Sequence, residues 1–185
     1  MRRIVLSFCL LWSIGAGTAE PNEEDRAKAR QLGMELKAAL TAALQGSPES
    51  AIAVCNERAP QIAAKLTREG QVEVGRTALR VRNPANQPSE WQRAVLLDFQ
   101  NRQKSGESLA AMEHWSTVTR GDFVEHRYMK AIALEPLCVT CHGSQLSPAL
   151  RDAIRAKYPA DAATGFNVGD LRGAVYVVRR EPRPR

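Results

Sequence analysis

Met112-Glu113-His114-Trp115-Ser116-Thr117-Val118-Thr119, Arg120-Gly121-Asp122 and Phe123-Val124-Glu125-His126-Arg127-Tyr128-Met129-Lys130-Ala131-Ile132-Ala133-Leu134 form the continuous stretch that decides the fold. The outer runs are rich in β-branched and aromatic residues, and the polar triplet between them has turn composition. The stretch predicts two strands, Met112–Thr119 and Phe123–Leu134, with Pro136 ending the second. Upstream, Ser89-Glu90-Trp91 opens a helix to about Lys104, with Trp91, Val95 and Phe99 facing inward. Before it, Arg82 to Pro88 reads as a loop that cannot be a helix. Val72 to Arg82 reads as a strand whose two apolar phases require a bulge or bend near Gly75. Asn22 to Gln45 predicts a capped helix, and Ser47-Pro48-Glu49 starts a second. Pro60 is expected to kink or divide that second helix. Downstream, a helix is expected over Pro148 to Tyr158 and a last strand over Leu171 to Arg179. Hairpin-linked strands with segregated helices predict an α+β fold with a mainly antiparallel sheet.

Directly after the hairpin stands Cys138-Val139-Thr140-Cys141-His142, a C-x-x-C-H. This spacing is the attachment signature of c-type haem: each thiol adds to a porphyrin vinyl group, and the adjacent imidazole binds the iron. Cys138 and Cys141 are therefore the expected covalent attachment points of one haem c, and His142 its proximal iron ligand. Half of a four-ligand zinc site is one rival, but it needs two more ligands, and only Cys55, His114 and His126 stand outside the motif and the leader. A thioredoxin-like pair is another, but it opens a long helix, whereas Pro148 soon follows Gly143 here.

Residues 1–19 read as a signal peptide: Arg2 and Arg3, an apolar run from Ile4 to Ile14, and small residues before a cut after Ala19. The mature chain is expected in the periplasm, where bacterial haem attachment of this kind takes place. Losing 19 of 185 residues leaves 166, one domain's worth, and the formal charge falls from +6 to +4 with Arg2 and Arg3. No second apolar run of membrane length follows, and no basic stripe with interleaved aromatics suggests nucleic acid. The expected organisation is a leader over 1–19, one domain over 20–179 and a loose charged tail over 180–185. Three cysteines remain after the leader, so Cys55 has no disulfide partner once the other two are thioethers.

Cys55 falls on the apolar stripe of the second helix with Ile52, Ala59, Ile62 and Leu66. From spacing alone it is a buried small hydrophobe, an intermolecular disulfide partner or an axial thiolate. Met129, His126, His114 and an open position are the alternatives to it at the sixth iron position. Arg76, Arg80, Arg82 and Arg172 are candidates for the two haem propionates, because a guanidinium fork matches a carboxylate in two hydrogen bonds.

Several short blocks carry a family resemblance: Ala51-Ile52-Ala53-Val54-Cys55, Ala59-Pro60, Gly75-Arg76-Thr77, Arg82-Asn83-Pro84-Ala85-Asn86, the motif itself with Gly143, Tyr158-Pro159, Asp161, Ala163-Thr164-Gly165 and Gly169-Asp170-Leu171-Arg172-Gly173. In this order they resemble an exported c-type haem-binding domain family, catalogued as a domain of unknown function and found in cyanobacterial and other bacterial proteins. The resemblance implies a PAS-like antiparallel sheet flanked by helices, one covalent haem, and a cysteine on an N-terminal helix as second axial ligand, the place that Cys55 matches. It implies no reaction. Thiolate ligation stabilises ferric iron and lowers the potential. The expected function is electron transfer or redox-responsive haem binding with a separate redox or signalling partner. The alternative is a haem-based sensor of nitric oxide or carbon monoxide. An enzyme, such as a peroxidase, is the minor reading, because no clear distal acid–base pair is visible.

Overall fold

The computed structural model describes residues 22–70 and 72–184; the leader expected over 1–19 lies outside them. Helix α1, Glu23–Leu44, starts where the Asn22 side chain accepts the Glu24 N–H, with Glu23, Glu24 and Asp25 in its positive first turn. Helix α2, Pro48–Ala53, opens on a capping box between Ser47 and Ser50. It runs into a π-helical turn, Val54–Arg58, and then into α3, Ala59–Gly70. Pro60 thus divides the helix as expected, and the division takes the form of a wider turn just ahead of it.

Strand β1 is only Glu73–Thr77. The two apolar phases seen in the sequence are not joined by a bulge near Gly75, since β1 pairs without a break from Glu73 opposite Val178 to Thr77 opposite Ala174. The strand simply ends, and Leu79 and Val81 belong to the following loop. Within the segment read as loop, Pro84–Asn86 form one 3₁₀ turn capped by the Asn83 side chain. Helix α4, Glu90–Lys104, opens on a Ser89–Gln92 capping box. The hairpin is β2, Glu113–Arg120, and β3, Phe123–Ala133. Two short helices follow, α5 (Pro136–His142) and α6 (Pro148–Lys157), before β4, Leu171–Pro182. The loose tail expected from Arg180 is corrected at its start: Arg180, Glu181 and Pro182 pair with Glu125, Val124 and Phe123, and the Arg183 N–H donates to the Asp122 carbonyl.

The sheet is antiparallel, in the order β1-β4-β3-β2. This is the expected α+β, PAS-like architecture. Side chains of β3 and β4 alternate between two apolar environments. Tyr128, Val175 and Val177 pack with Ala29 and Leu32 of α1 and Ile62 and Leu66 of α3. Met129, Ala131 and Ala174 pack with Val95, Leu96 and Phe99 of α4. Helices on both faces explain why β4 reads as a continuous apolar run over Ala174–Val178.

The long connection from β3 to β4 carries the C-x-x-C-H motif, and the pairing is irregular where it rejoins the sheet. Ile132 faces Gly173 and Ala133 faces Leu171, so Arg172 is the extra residue of a bulge. Gly173 lets the chain close there: a Cβ on it would lie 2.4 Å from the Thr77 carbonyl oxygen of β1. Gly173→Ala is expected to destabilise the fold by about 1–3 kcal/mol through this overlap, read as a lower urea midpoint with an unchanged slope.

Candidate functional site

Helix α5 places the motif. Pro136 occupies its first turn, where a missing N–H leaves no bond unmade, and Gly143 ends it with an N–H to the Val139 carbonyl at 2.8 Å. Only glycine fits that end, because a Cβ would lie 2.7 Å from both the Val139 oxygen and its side chain. One turn apart, Cys138 and Cys141 share a face of the helix. Both line a cleft with His142, and the cleft holds about 1100 Å³ of empty space including its open mouth.

The cleft runs between α5, the end of β1, the bulge in β4 and the α1–α2 region. Cys55, Ala51 and Ile52 form part of its wall, with Leu40 and Leu44 of α1. Sequence-distant residues are thereby gathered: Cys55, Arg76, Arg82, Cys138, Cys141, His142 and Arg172 line one cavity. Arg80 does not line it. The alternatives for the sixth position also lie elsewhere. Met129 is fully buried in the α4-side core, His126 pairs with Thr117 and Glu181 on the sheet, and His114 lines a separate surface groove with Trp115. Among the described residues no group of three or more His, Cys, Asp or Glu is placed to hold a metal ion, so the zinc alternative finds no further ligands there.

The four arginines divide into two kinds. Arg82 is committed: its Nε and Nη2 donate to the two carboxylate oxygens of Asp161 at 3.2 and 3.1 Å, and Nη2 also donates to the Cys141 carbonyl at 2.6 Å. Both side chains of this pair are at most 10% exposed. Arg80 donates to the Ala162 and Thr164 carbonyls and stacks over Phe166, 4.2 Å from the ring centroid. These two hold the loop before β4 against the motif. Arg76 and Arg172 differ. Neither has a carboxylate within ion-pair distance among the described residues; Arg172 donates only to the Arg80 carbonyl at 3.2 Å and lies over Phe166. Burial pushes the Arg172 pKa down to about 10, helped by Arg76 and Arg82. Burial also lowers Arg76, with Cys55 acting in the opposite direction. A guanidinium keeps its proton at neutral pH, so both bring positive charge to the cavity.

His142 is held by the same loop. Its Nδ1 lies 2.6 Å from the Ala163 carbonyl, which can only accept, so Nδ1 carries the proton and Nε2 keeps its lone pair. Burial, reinforced by Arg172, Arg82 and Arg76, pushes its pKa down to about 2. The imidazole is therefore neutral, the form that binds a metal. The Phe166 ring meets it edge-on at 6.5 Å. The Phe166 N–H donates to the His142 carbonyl, and the Gly165 N–H to the Gly143 carbonyl, both at 2.9 Å.

The Tll0287-like family model matches residues 18–179. The chain belongs to this family. Its fold is also that of the crystal structure of the cyanobacterial haem protein Tll0287, with a TM-score of 0.61 and 25% sequence identity over 89% of this chain and 98% of that one. No curated protein matches. Family membership covers every residue that lines the cleft.

The roles of Ala163 and Phe166, which orient and flank His142, are not readable from the sequence: Ala163 stands in one of the resemblance blocks, but its carbonyl works whatever its side chain, and a lone Phe in a loop is not distinctive. Asp161 shapes the loop before β4, accepting the Ala163 N–H at 2.9 Å, and it also anchors Arg82. Asp161→Asn should leave Arg82 buried without its counter-charge and cost about 3–5 kcal/mol of stability, measured by urea unfolding against the unsubstituted protein.

Proposed function

We propose that the cleft holds one c-type haem, attached through Cys138 and Cys141, with His142 and Cys55 as axial ligands, in an exported electron-transfer or redox-responsive protein. The observation that carries this reading is the donor set. A neutral imidazole with its Nε2 lone pair stands beside two thiols on one helix face, a third thiol sits in the same apolar cavity, and two arginines there have no acid partner. Each feature fits a part of the group: thiols for the vinyls, imidazole and thiolate for the iron, guanidinium groups for the propionates. The haem character of the related cyanobacterial protein supports the same assignment.

When bound, the haem supplies a one-electron change at its iron; the chain supplies the surroundings. Hydrogen bonding to Ala163 fixes the ring orientation and basicity of His142. The apolar walls of Leu40, Leu44, Ile52, Val81 and Ile132 exclude water and keep the local dielectric low. Cys55 brings negative charge to the iron and favours its oxidised form, whereas Arg76 and Arg172 offset the negative charge of the group. The reading is not enzymatic. His142 is the imidazole that lines the described cleft, and the proposal assigns it to the iron rather than to proton transfer. A separate partner protein is then the source or destination of the electron. Among the described residues no helix is long and apolar enough to cross a membrane.

Cys55→Ser is the direct test of the ligand set. The ferric absorption spectrum should change and the midpoint potential rise; an unchanged spectrum would remove Cys55 from the iron. Exposing the ferrous protein to carbon monoxide separates the functions: an unaltered spectrum supports electron transfer, and ready uptake supports the sensor. Replacing Arg76 and Arg172 together by glutamine should lower the potential, because positive charge near the iron favours the added electron. Redox titration of the double variant checks the sign.

A further inference from the structure

Cys55 does not sit in a regular α-helix. The Ala59 N–H reaches back to the Val54 carbonyl, an i to i+5 bond, which defines the π turn Val54–Arg58. Such a turn inserts one residue into the helix, and one residue in an α-helix corresponds to a rotation of about 100°. The elements on its two sides are each fixed in place. Ahead of it, Ile52 of α2 packs with Leu150, Ile154 and Tyr158 of the α6 region. Behind it, Ile62 and Leu66 of α3 pack with α1 and the sheet. The turn therefore sets the angle between the helix face that lines the cleft, with Ala51, Ile52 and Cys55, and the face that is buried in the core, with Ala59, Ile62 and Leu66. Pro60 has no N–H to donate to the carbonyl four residues earlier, and its ring clashes with that carbonyl in an α-helical continuation. It thus opposes the regular alternative.

We infer that the π turn is the positioning element for Cys55: its extra residue, kept by Pro60, turns the thiol into the cleft while α3 stays seated on the sheet. This rests on the reading of Cys55 as an iron ligand. Glu57, Arg58 and Pro60 are exposed, so the turn can be altered without removing core contacts.

The test uses haem-loaded protein purified from cells competent in haem attachment and compares ferric spectra, midpoint potentials and far-ultraviolet circular dichroism. Deleting Glu57 removes the extra residue. The expected result is loss of the wild-type ferric spectrum in favour of that of Cys55→Ser, with the circular dichroism retained. Adding one alanine after Arg58 to the deletion variant restores the length and should restore the wild-type spectrum. A deletion variant that keeps the wild-type spectrum and potential overturns the inference. Should that variant not fold, Pro60→Ala decides: a shift toward the Cys55→Ser spectrum supports the inference, and an unchanged spectrum overturns it. If Cys55→Ser itself has the wild-type spectrum, the ligand assignment is what has failed, and the two failures are told apart.

Discussion

The buried pair between Arg82 and Asp161 is the contact on which the rest of the cleft depends. One guanidinium joins three segments: the loop after β1 that carries it, the loop before β4 through the Asp161 carboxylate, and the end of the motif helix through the Cys141 carbonyl. Two charges removed from water are tolerable only when they satisfy each other with good geometry, and the paired hydrogen bonds to one carboxylate meet that condition. The consequences pass along the backbone. Asp161 shapes the turn that presents the Ala163 carbonyl, and that carbonyl fixes the His142 tautomer. The His142 side chain is thus two hydrogen-bonded steps from the ion pair.

Four similar residues around the cleft are treated unequally. Arg80 and Arg82 are neutralised or hydrogen-bonded by the protein itself. Arg76 and Arg172 line the cleft with no carboxylate at ion-pair distance among the described residues, and a bulge in β4 takes Arg172 out of the ladder. A partly buried cation without a counter-charge is unfavourable in the empty protein and favourable once an anionic ligand enters. Stability is given up at the place where binding recovers it.

Much of this was legible in the sequence. The β2–β3 hairpin, α1 with its Asn22 cap, α4 and α6 follow from local chemistry: apolar periodicity, turn composition and capping residues act over a few positions. The C-x-x-C-H motif is equally local, and the family resemblance placed Cys55 opposite it. What could not be read depends on distant partners. Nothing near Arg80 or Arg82 in the chain distinguishes them from Arg76, since the carbonyls and the carboxylate that engage them lie about eighty residues away. The early end of β1 has the same character: Leu79 and Val81 look like strand residues, yet Val81 lines the cleft. At the other end, the charged residues Arg180 and Glu181 look like a free tail, but β3 is long enough to pair with them. Pro60 announced a break, although the sequence does not say that the break is a π turn.

The central claim is that the chain carries one porphyrin fixed by two thioether bonds. Intact-mass measurement of the mature protein, denatured in acid after expression with the haem-attachment machinery, tests it most directly. The account predicts the polypeptide mass plus that of one haem, and the bare polypeptide mass for a variant with Cys138 and Cys141 both replaced by alanine. An unsubstituted protein that shows only the polypeptide mass would contradict it.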